Sequence, residues 1–295
     1  MISKIYRIIA TIFFKVGYFP GSWRVLNTIC SITPLINIRV RHPLGFTWKI
    51  STRDSLKTFL SNCEPYTSKL VSQIAPGIDT FICVGANRGW YPMLVRTKNT
   101  DCIIFAFECN SKIYLELDEN MKENDSNVRL VKKAVGKTFG SSYLFLPKDG
   151  NEGMSTLYLS QAAEREALEL EIVEVIDLDL FFQSQNLNLG QVLILLDIEG
   201  GEMNALRGAS ELLFRYSPIL ILEINEQMLE AAGTKVFELL TFLEELGYFV
   251  YWIDERERLQ PVNQKDSLPH VGVLPSGTGA NYLCTRSLDL IKDIQ

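Results

Sequence analysis

The stretch Asp79-Thr-Phe-Ile-Cys-Val-Gly-Ala-Asn-Arg-Gly89 constrains this chain more than any other. The apolar run from Asp79 to Val84 has the length and composition of a buried β-strand, Gly85 to Gly89 supplies a tight turn, and Arg88 to Arg96 opens a helix. A turn of this kind is expected to present free backbone N–H groups at a helix N-terminus, where a nucleotide-like ligand can sit. A second apolar run, Cys102 to Phe107, ends in Glu108, 23 positions after Gly85, the distance that one helix and a return strand require. A carboxylate there can accept both hydroxyls of a ribose.

Glycine spacing separates the cofactor classes that use this arrangement. A dinucleotide fingerprint is G-x-G-x-x-G, so that the backbone approaches a pyrophosphate. Here the second glycine position is Asn87 and the last is Trp90, whose indole would crowd phosphates. S-adenosylmethionine has a ribose and an adenine but no phosphate. One close contact at Gly85, flanked by Ala86 and Asn87, and an acidic ribose clamp at Glu108 suffice for it. A dinucleotide-dependent oxidoreductase is therefore the weaker reading.

With 295 residues, 47% of them hydrophobic and 22% charged, the chain can bury one α/β domain of about 200 to 250 residues plus an extension. The six cysteines show no C-x-x-C pair, and Cys83, Cys102 and Cys284 fall inside apolar runs, the pattern of reduced thiols in a cytosolic protein. With His42 and His270 as the only histidines, a histidine-rich metal centre is excluded. Net charge is −6, yet residues 1–53 carry eight Lys/Arg and no Asp/Glu, leaving −14 for the remainder. A body this acidic is a poor nucleic-acid binder.

Residues 1–19 are apolar and aromatic with Lys4, Arg7 and Lys15 interspersed. The charge-free core, Ile8 to Phe14, is too short to cross a bilayer, which takes about 20 residues. An amphipathic helix of this type adsorbs to anionic lipid or docks on its own body, so peripheral contact at the inner face of a membrane is one expectation. A second helix is expected over Trp23 to Ile32, a hairpin around Pro43-Leu44-Gly45, and a helix from Cys63 to Ile74. Residues 1–70 then form an N-terminal cap and 71–295 the cofactor-binding domain. Beyond Asp79, strands are expected near 80–84, 102–107, 128–135, 192–197, 219–224, 248–253 and 281–285, with helices near 88–97, 111–123, 202–214 and 235–246. This alternation predicts an α/β, doubly wound, mostly parallel sheet with its ligand outside the C-terminal strand ends. Residues 136–191 interrupt it, with paired strands at Tyr143–Leu146 and Glu171–Val175 and a charged helical segment over Gln161–Glu169.

Leu193-Ile-Leu-Leu-Asp197-Ile-Glu199-Gly-Gly-Glu202 is the second informative stretch. A strand delivers Asp197 to its end, Gly200-Gly201 permits an unusual backbone, and Glu202 opens a helix whose dipole favours an acid. All three carboxylates are expected to face the crevice beside Gly85 and Glu108.

Together Phe81-Ile-Cys-Val-Gly-Ala-Asn-Arg-Gly89, Ala106-Phe-Glu108, Lys133-Ala-Val-Gly136, Ser155-Thr156, Ile176-Asp-Leu-Asp179 and Leu196-Asp-Ile-Glu-Gly-Gly-Glu202 resemble the ordered motifs of FkbM-type S-adenosylmethionine-dependent methyltransferases, over about Glu64 to Val250. The resemblance implies the class I methyltransferase fold, activity of the class EC 2.1.1.-, and O-methylation of a small-molecule or glycan hydroxyl. Two positions depart from it: Cys83 stands where the family usually has aspartate, and Leu195 where it usually has lysine. Either the nearby Asp79 compensates, or the chain is a non-catalytic cofactor-binding module. Methyl transfer is an in-line displacement whose rate rests on alignment, aided by a base for the hydroxyl proton. Asp197 is the first candidate for that base and also lines the cofactor site; Glu199, Glu223 and His270 compete with it. A divalent cation on these carboxylates is conceivable but has no ligand pattern in its support. Asn87 and Arg88 are expected at the methionine end of the cofactor, Ala134 beside the adenine, and Ser155 and Glu223 at cofactor or acceptor. Trp90 and Tyr91 are expected to be packing residues.

Overall fold

The computed structural model describes residues 2–16, 22–32, 37–61, 63–124, 126–147, 155–158, 168–253, 259–262 and 280–294. The N-terminal segment contains helices α1 (Ile2–Val16) and α2 (Ser22–Ile32), the antiparallel hairpin β1 (Ile38–Arg41) and β2 (Thr47–Ile50), and helices α3 (Arg53–Ser61) and α4 (Pro65–Ile74). Pro65 at the first helical position of α4 needs no N–H donor, which is why that helix starts there rather than at Cys63. Helix α3 was not expected. Its one acid in the first turn and five buried positions give a short amphipathic face, visible only once α1, α2 and the hairpin cover it.

The central body follows as β3 (Thr80–Val84), α5 (Trp90–Lys98), β4 (Ile103–Phe107), α6 (Ser111–Glu123) and β5 (Val128–Val131). A separate small sheet is built from β6 (Ala134–Val135), β7 (Gly140–Pro147) and β8 (Leu168–Ile176). Then come β9 (Val192–Leu196), β10 (Ile219–Ile224), β11 (Phe249–Ile253), β12 (Leu259–Pro261) and β13 (Ala280–Thr285). The main sheet has the order β12-β11-β13-β10-β9-β3-β4-β5. Strands β5, β4, β3, β9 and β10 pair in parallel, and β13 is antiparallel to both β10 and β11. The α/β, mostly parallel fold is as expected. Chain order reverses between β3 and β9, which opens a crevice at their C-terminal ends.

Three expected elements divide differently. The strand foreseen over 128–135 is two, β5 in the main sheet and β6 in the small one, with Lys133 in the bend between them. The helix foreseen over 202–214 is broken into Glu202–Arg207 and Ser210–Tyr216 at Gly208, where a Cβ would lie 2.1 Å from the Gly136 carbonyl oxygen. Asp179 stabilises the break by accepting the amides of Glu211 and Leu212. Of the helical segment foreseen over 161–169, Leu168 and Glu169 belong to β8 and residues 161–167 lie outside the described residues. The pairing of 143–146 with 171–175 is present as an antiparallel register, Tyr143 opposite Ile172 and Leu144 opposite Glu171.

Side chains alternate between the two faces of the sheet. Phe81, Cys83, Leu193, Leu195 and Ile221 lie on one face in a cluster with Trp48 and Phe59 of the N-terminal segment and Trp90 of α5, while Ile82, Val84, Ile194, Leu196 and Leu222 pack on the other. The first cluster and helix α4 both run across the 70/71 boundary, so the cap shares a core with the cofactor-binding body. His42 is buried in that core: Nδ1 accepts the Leu44 amide, which leaves Nε2–H to donate to the Phe59 carbonyl. All six cysteines are free thiols, and among the described residues no helix is long and apolar enough to cross a membrane.

Candidate active site

The turn after β3 is held by bonds to the neighbouring strand end. Gly85 has φ +80°, and a Cβ there would lie 1.8 Å from the Asp197 carbonyl oxygen, so only glycine lets the loops after β3 and β9 approach this closely. The amides of Gly85 and Ala86 both donate to the Phe107 carbonyl (3.0 and 2.9 Å), that of Asn87 to Glu108 Oε2 (3.0 Å) and that of Arg88 to Asn87 Oδ1 (2.8 Å). The free N–H groups expected at this turn are therefore taken. A phosphate would find no donors in the turn, which removes the dinucleotide reading on physical grounds.

Glu108 is the hinge of the arrangement. Its Oε2 accepts the Asn87 amide and its Oε1 the Asn110 amide (2.8 Å), tying the β3 turn to the start of α6. With the Cys109 amide also bonded to this carboxylate, one lone pair stays open to a ligand hydroxyl. Burial pushes the Glu108 carboxyl up to about 7, opposed by the hydrogen bonds from Asn110 and Asn87. Asn110 caps α6, and its Nδ2 donates to the Ser155 hydroxyl (3.2 Å).

These residues border an open cleft lined by Gly85, Asn87, Glu108, Ala134, Ser155, Asp197 and Glu199 among others. Ile113, Leu144 and Leu157 supply apolar walls, and Lys133 also borders the cleft while pairing with Glu174 on β8 (2.7 Å). Because the sheet runs β5-β4-β3-β9-β10-β13, the strand-end residues lie in a row from Lys133 and Ala134 past Glu108 and Gly85 to Asp197. Adjacent strands lie about 4.8 Å apart, so Glu108 and Asp197, two strands apart, are separated by roughly the length of a nucleoside.

Three expected placements are corrected. Arg88 does not reach the cleft: it is 2% exposed, and its guanidinium binds Glu116 (2.6 Å) and Asp54 (2.7 Å), joining α6 to the N-terminal segment. Glu202 does not face the crevice either. It is 1% exposed and folds back so that Oε1 accepts the amides of Ile198 and Gly200 (3.1 and 3.4 Å), holding the loop in which Glu199 takes a left-handed φ of +53°. Asp79 cannot stand in for the strand acid at Cys83, because it lies at the opposite end of β3 and accepts the Gln191 amide. His270 lies outside the described residues.

Beyond the cleft the same row becomes acidic. Register pairs Ile221 with Leu195, so two residues further along Glu223 comes beside Asp197, and carboxylate oxygens of Asp197, Glu199 and Glu223 lie within 4.8 Å of one another. Glu223 donates a hydrogen bond to Asp197. Burial, then the charges of Asp197 and Glu199, hold the Glu223 carboxyl well above its ordinary range, while burial alone raises Asp197 and the bond from Glu223 opposes it. Of the pair, Glu223 favours its neutral form the more strongly.

Glu64, not singled out from the sequence, joins this group from the N-terminal segment. Its Oε2 accepts the Tyr91 hydroxyl (2.6 Å), and it also accepts a bond from Asn281, which sits opposite Glu223 across β10 and β13. Burial and then the charge of Asp197 push its carboxyl to about 7. An acid immediately before a helix-initiating proline was the only sequence signal for it. Trp90 is the packing residue expected, edge-to-face with His42, Phe46 and Trp48, with Nε1 donating to Ser68 (2.9 Å). Tyr91 is buried as expected but also carries the bond to Glu64.

The family model for the methyltransferase FkbM domain matches residues 84–250, more than half of the chain. The chain belongs to the FkbM methyltransferase family. It carries the methyltransferase domain of that family. Similar solved structures include the methyltransferase FkbM of Methylobacillus flagellatus KT, with 14% identity, a TM-score of 0.41, and coverage of 88% of this chain and 58% of that one. This chain thus spans less than two thirds of that relative's length. A SAM-dependent O-methyltransferase of Thermotoga maritima has 12% identity, a TM-score of 0.38, and coverage of 88% and 80%. A precorrin-6y C5,15-methyltransferase of Geobacter metallireducens GS-15 has 14% identity, a TM-score of 0.39, and coverage of 76% and 88%. No protein with a curated description matches the sequence.

The cleft fits the family's cofactor. Its turn has no free phosphate donors, Glu108 keeps an acceptor position for a ribose hydroxyl, and apolar walls flank Ala134 where an adenine would lie. Cys83 and Leu195, the two departures from the family pattern, are partners in the β3–β9 register and both buried. Losing an aspartate and a lysine together leaves no buried charge unpaired, so the strand ends stay intact without them.

Proposed function

We propose that this protein transfers a methyl group from S-adenosylmethionine to a hydroxyl oxygen of a sugar or glycan precursor. The observation that carries the reading is the cluster of Asp197, Glu199 and Glu223, whose carboxylate oxygens lie within 4.8 Å of one another and of which the first two line the cleft. When bound, S-adenosylmethionine supplies a methyl group activated by its sulfonium. Glu108 would hold the ribose, Gly85 to Asn87 the adjoining backbone, and Ala134 with Ile113 and Leu144 the adenine side. Asp197 accepts the proton of the incoming hydroxyl, and Glu223, with Glu199 beside it, orients that oxygen and modulates the basicity of Asp197. Ser155, bonded to Asn110, lines the cleft on the ribose side. A neutral hydroxyl approaches a row of carboxyls without a desolvated counter-charge, and oxygens that accept hydrogen bonds suit a polyol.

Helix α1 buries Tyr6 and Ala10 against the body and leaves Ile5, Ile8 and Ile12 exposed beside Lys4 and Arg7. This face supports peripheral contact with an anionic membrane surface, which would suit a lipid-linked acceptor. The test of the chemistry is incubation with methyl-labelled S-adenosylmethionine and a panel of glycosides, amines, thiols and carboxylic acids. Label recovered as a sugar methyl ether supports the reading; label confined to amines or thiols overturns it.

A further inference from the structure

We propose that Glu64 is a cofactor-binding residue, its carboxylate accepting the α-ammonium group of S-adenosylmethionine beside Asp197. The inference rests on the cofactor reading above and deepens it. With adenine placed over the β5 end and ribose at Glu108, the methionyl portion of the ligand extends over β3 and β9. Strand side chains below that place are apolar, Cys83 and Leu195, and offer an ammonium nothing. Cys63, the residue before Glu64, lies within electrostatic reach of both Cys83 and Asp197. The N-terminal segment therefore carries Glu64 across the very strand end from which an acid is missing.

Glu64 is built as a cation ligand rather than as a base. Two donors, Tyr91 from the first turn of α5 and Asn281 from β13, fix its carboxylate and favour the ionised form. Burial and the charge of Asp197 favour the neutral form of Glu223, so that pair presents less charge than two carboxylates would. Arg88, the cation closest in sequence to the glycine turn, is committed to Glu116 and Asp54. Burial, then the charge of Asp197, pushes the Glu64 carboxyl up to about 7, a cost that an ammonium beside it would remove.

The test compares calorimetric affinities of wild type and Glu64→Gln, at neutral pH, for S-adenosylmethionine, S-adenosylhomocysteine and methylthioadenosine. The second ligand keeps the ammonium and lacks the sulfonium charge; the third lacks the amino-acid portion. Glu64→Gln is expected to weaken the first two equally, by about tenfold or more, and to leave the third unchanged, which also reports an intact fold. Tyr91→Phe, which removes a hydroxyl that orients Glu64, is expected to weaken the same two ligands by about threefold. Unchanged affinity for S-adenosylmethionine in Glu64→Gln, loss confined to S-adenosylmethionine, or equal loss for all three ligands each overturns the assignment. Wild-type protein that binds none of the three overturns the cofactor reading itself, an outcome distinct from failure at Glu64.

Discussion

Replacing Glu108 tests the centre of the cleft, because one side chain there has two separable duties. Within the protein its two oxygens satisfy two different amides, Asn87 N–H at 3.0 Å and Asn110 N–H at 2.8 Å. Glu108→Ala leaves both amides without that acceptor. Each loss is worth about 1 to 3 kcal/mol when no water replaces it, and Glu108 is only part-buried, so about 2 kcal/mol in total is expected. Toward the ligand, a charge-assisted bond to a ribose hydroxyl is worth a further ~1.5 to 3 kcal/mol, and its loss raises the Kd for S-adenosylmethionine by about 10- to 150-fold. Glu108→Gln sharpens the case. A glutamine has one acceptor oxygen, so its NH2 must face one of the two amides, donor against donor. It is therefore expected to resemble Glu108→Ala in urea-unfolding stability and in calorimetric affinity. Wild-type affinity in Glu108→Gln would refute both the ribose assignment and the account of the turn.

Gly85→Ala would have to separate the β3 and β9 loops by roughly 1.5 Å to relieve the contact with the Asp197 carbonyl, in addition to about 1 to 2 kcal/mol for a left-handed alanine; loss of adenosylmethionine binding in calorimetry is expected, and retained binding would contradict the packing argument. Cys83→Asp should destabilise the protein by about 3 to 5 kcal/mol by burying an unpaired charge, and adding Leu195→Lys beside it should recover most of that in urea melts; a double variant no more stable than the single would refute the pairing. Glu64, Glu108 and Glu202 each have folded values near 7, raised by burial. Their neutral forms are the ones the fold favours, so the stability they contribute is complete below the ordinary carboxylate range and is lost as pH rises through 7. Scanning calorimetry of the unliganded protein should show Tm falling from about pH 5 to about pH 8, with a shallower fall in Glu202→Gln; a rising Tm would refute it.

The element pattern of this chain was legible because it is local. Apolar runs of strand length, Gly85 and Asn87 at a turn, and an acid closing the next strand are consequences of short-range sterics and of alternation, which each segment carries within itself. That is why β3, α6 and the position of Glu108 could be read directly, along with the α/β class. What neighbours each side chain meets depends instead on strand order and register, which segments distant in sequence decide together. Arg88 sits in a turn that suggests a ligand contact, but Asp54 and Glu116, 34 and 28 residues away, draw it inward, because a buried guanidinium is stable only against carboxylates. The turn amides looked free until the Phe107 carbonyl and Glu108 were seen to take them. Glu64, Asp197, Glu223 and Asn281 come from four separate elements, and only the insertion of β13 beside β10 and the passage of the N-terminal segment over β3 bring them together. By itself the sequence determined most of the elements and which carboxylate closes β4. Tertiary structure decided which acids favour their neutral forms and which cation is spent, since those outcomes turn on burial and on distances of a few ångströms that no single segment encodes.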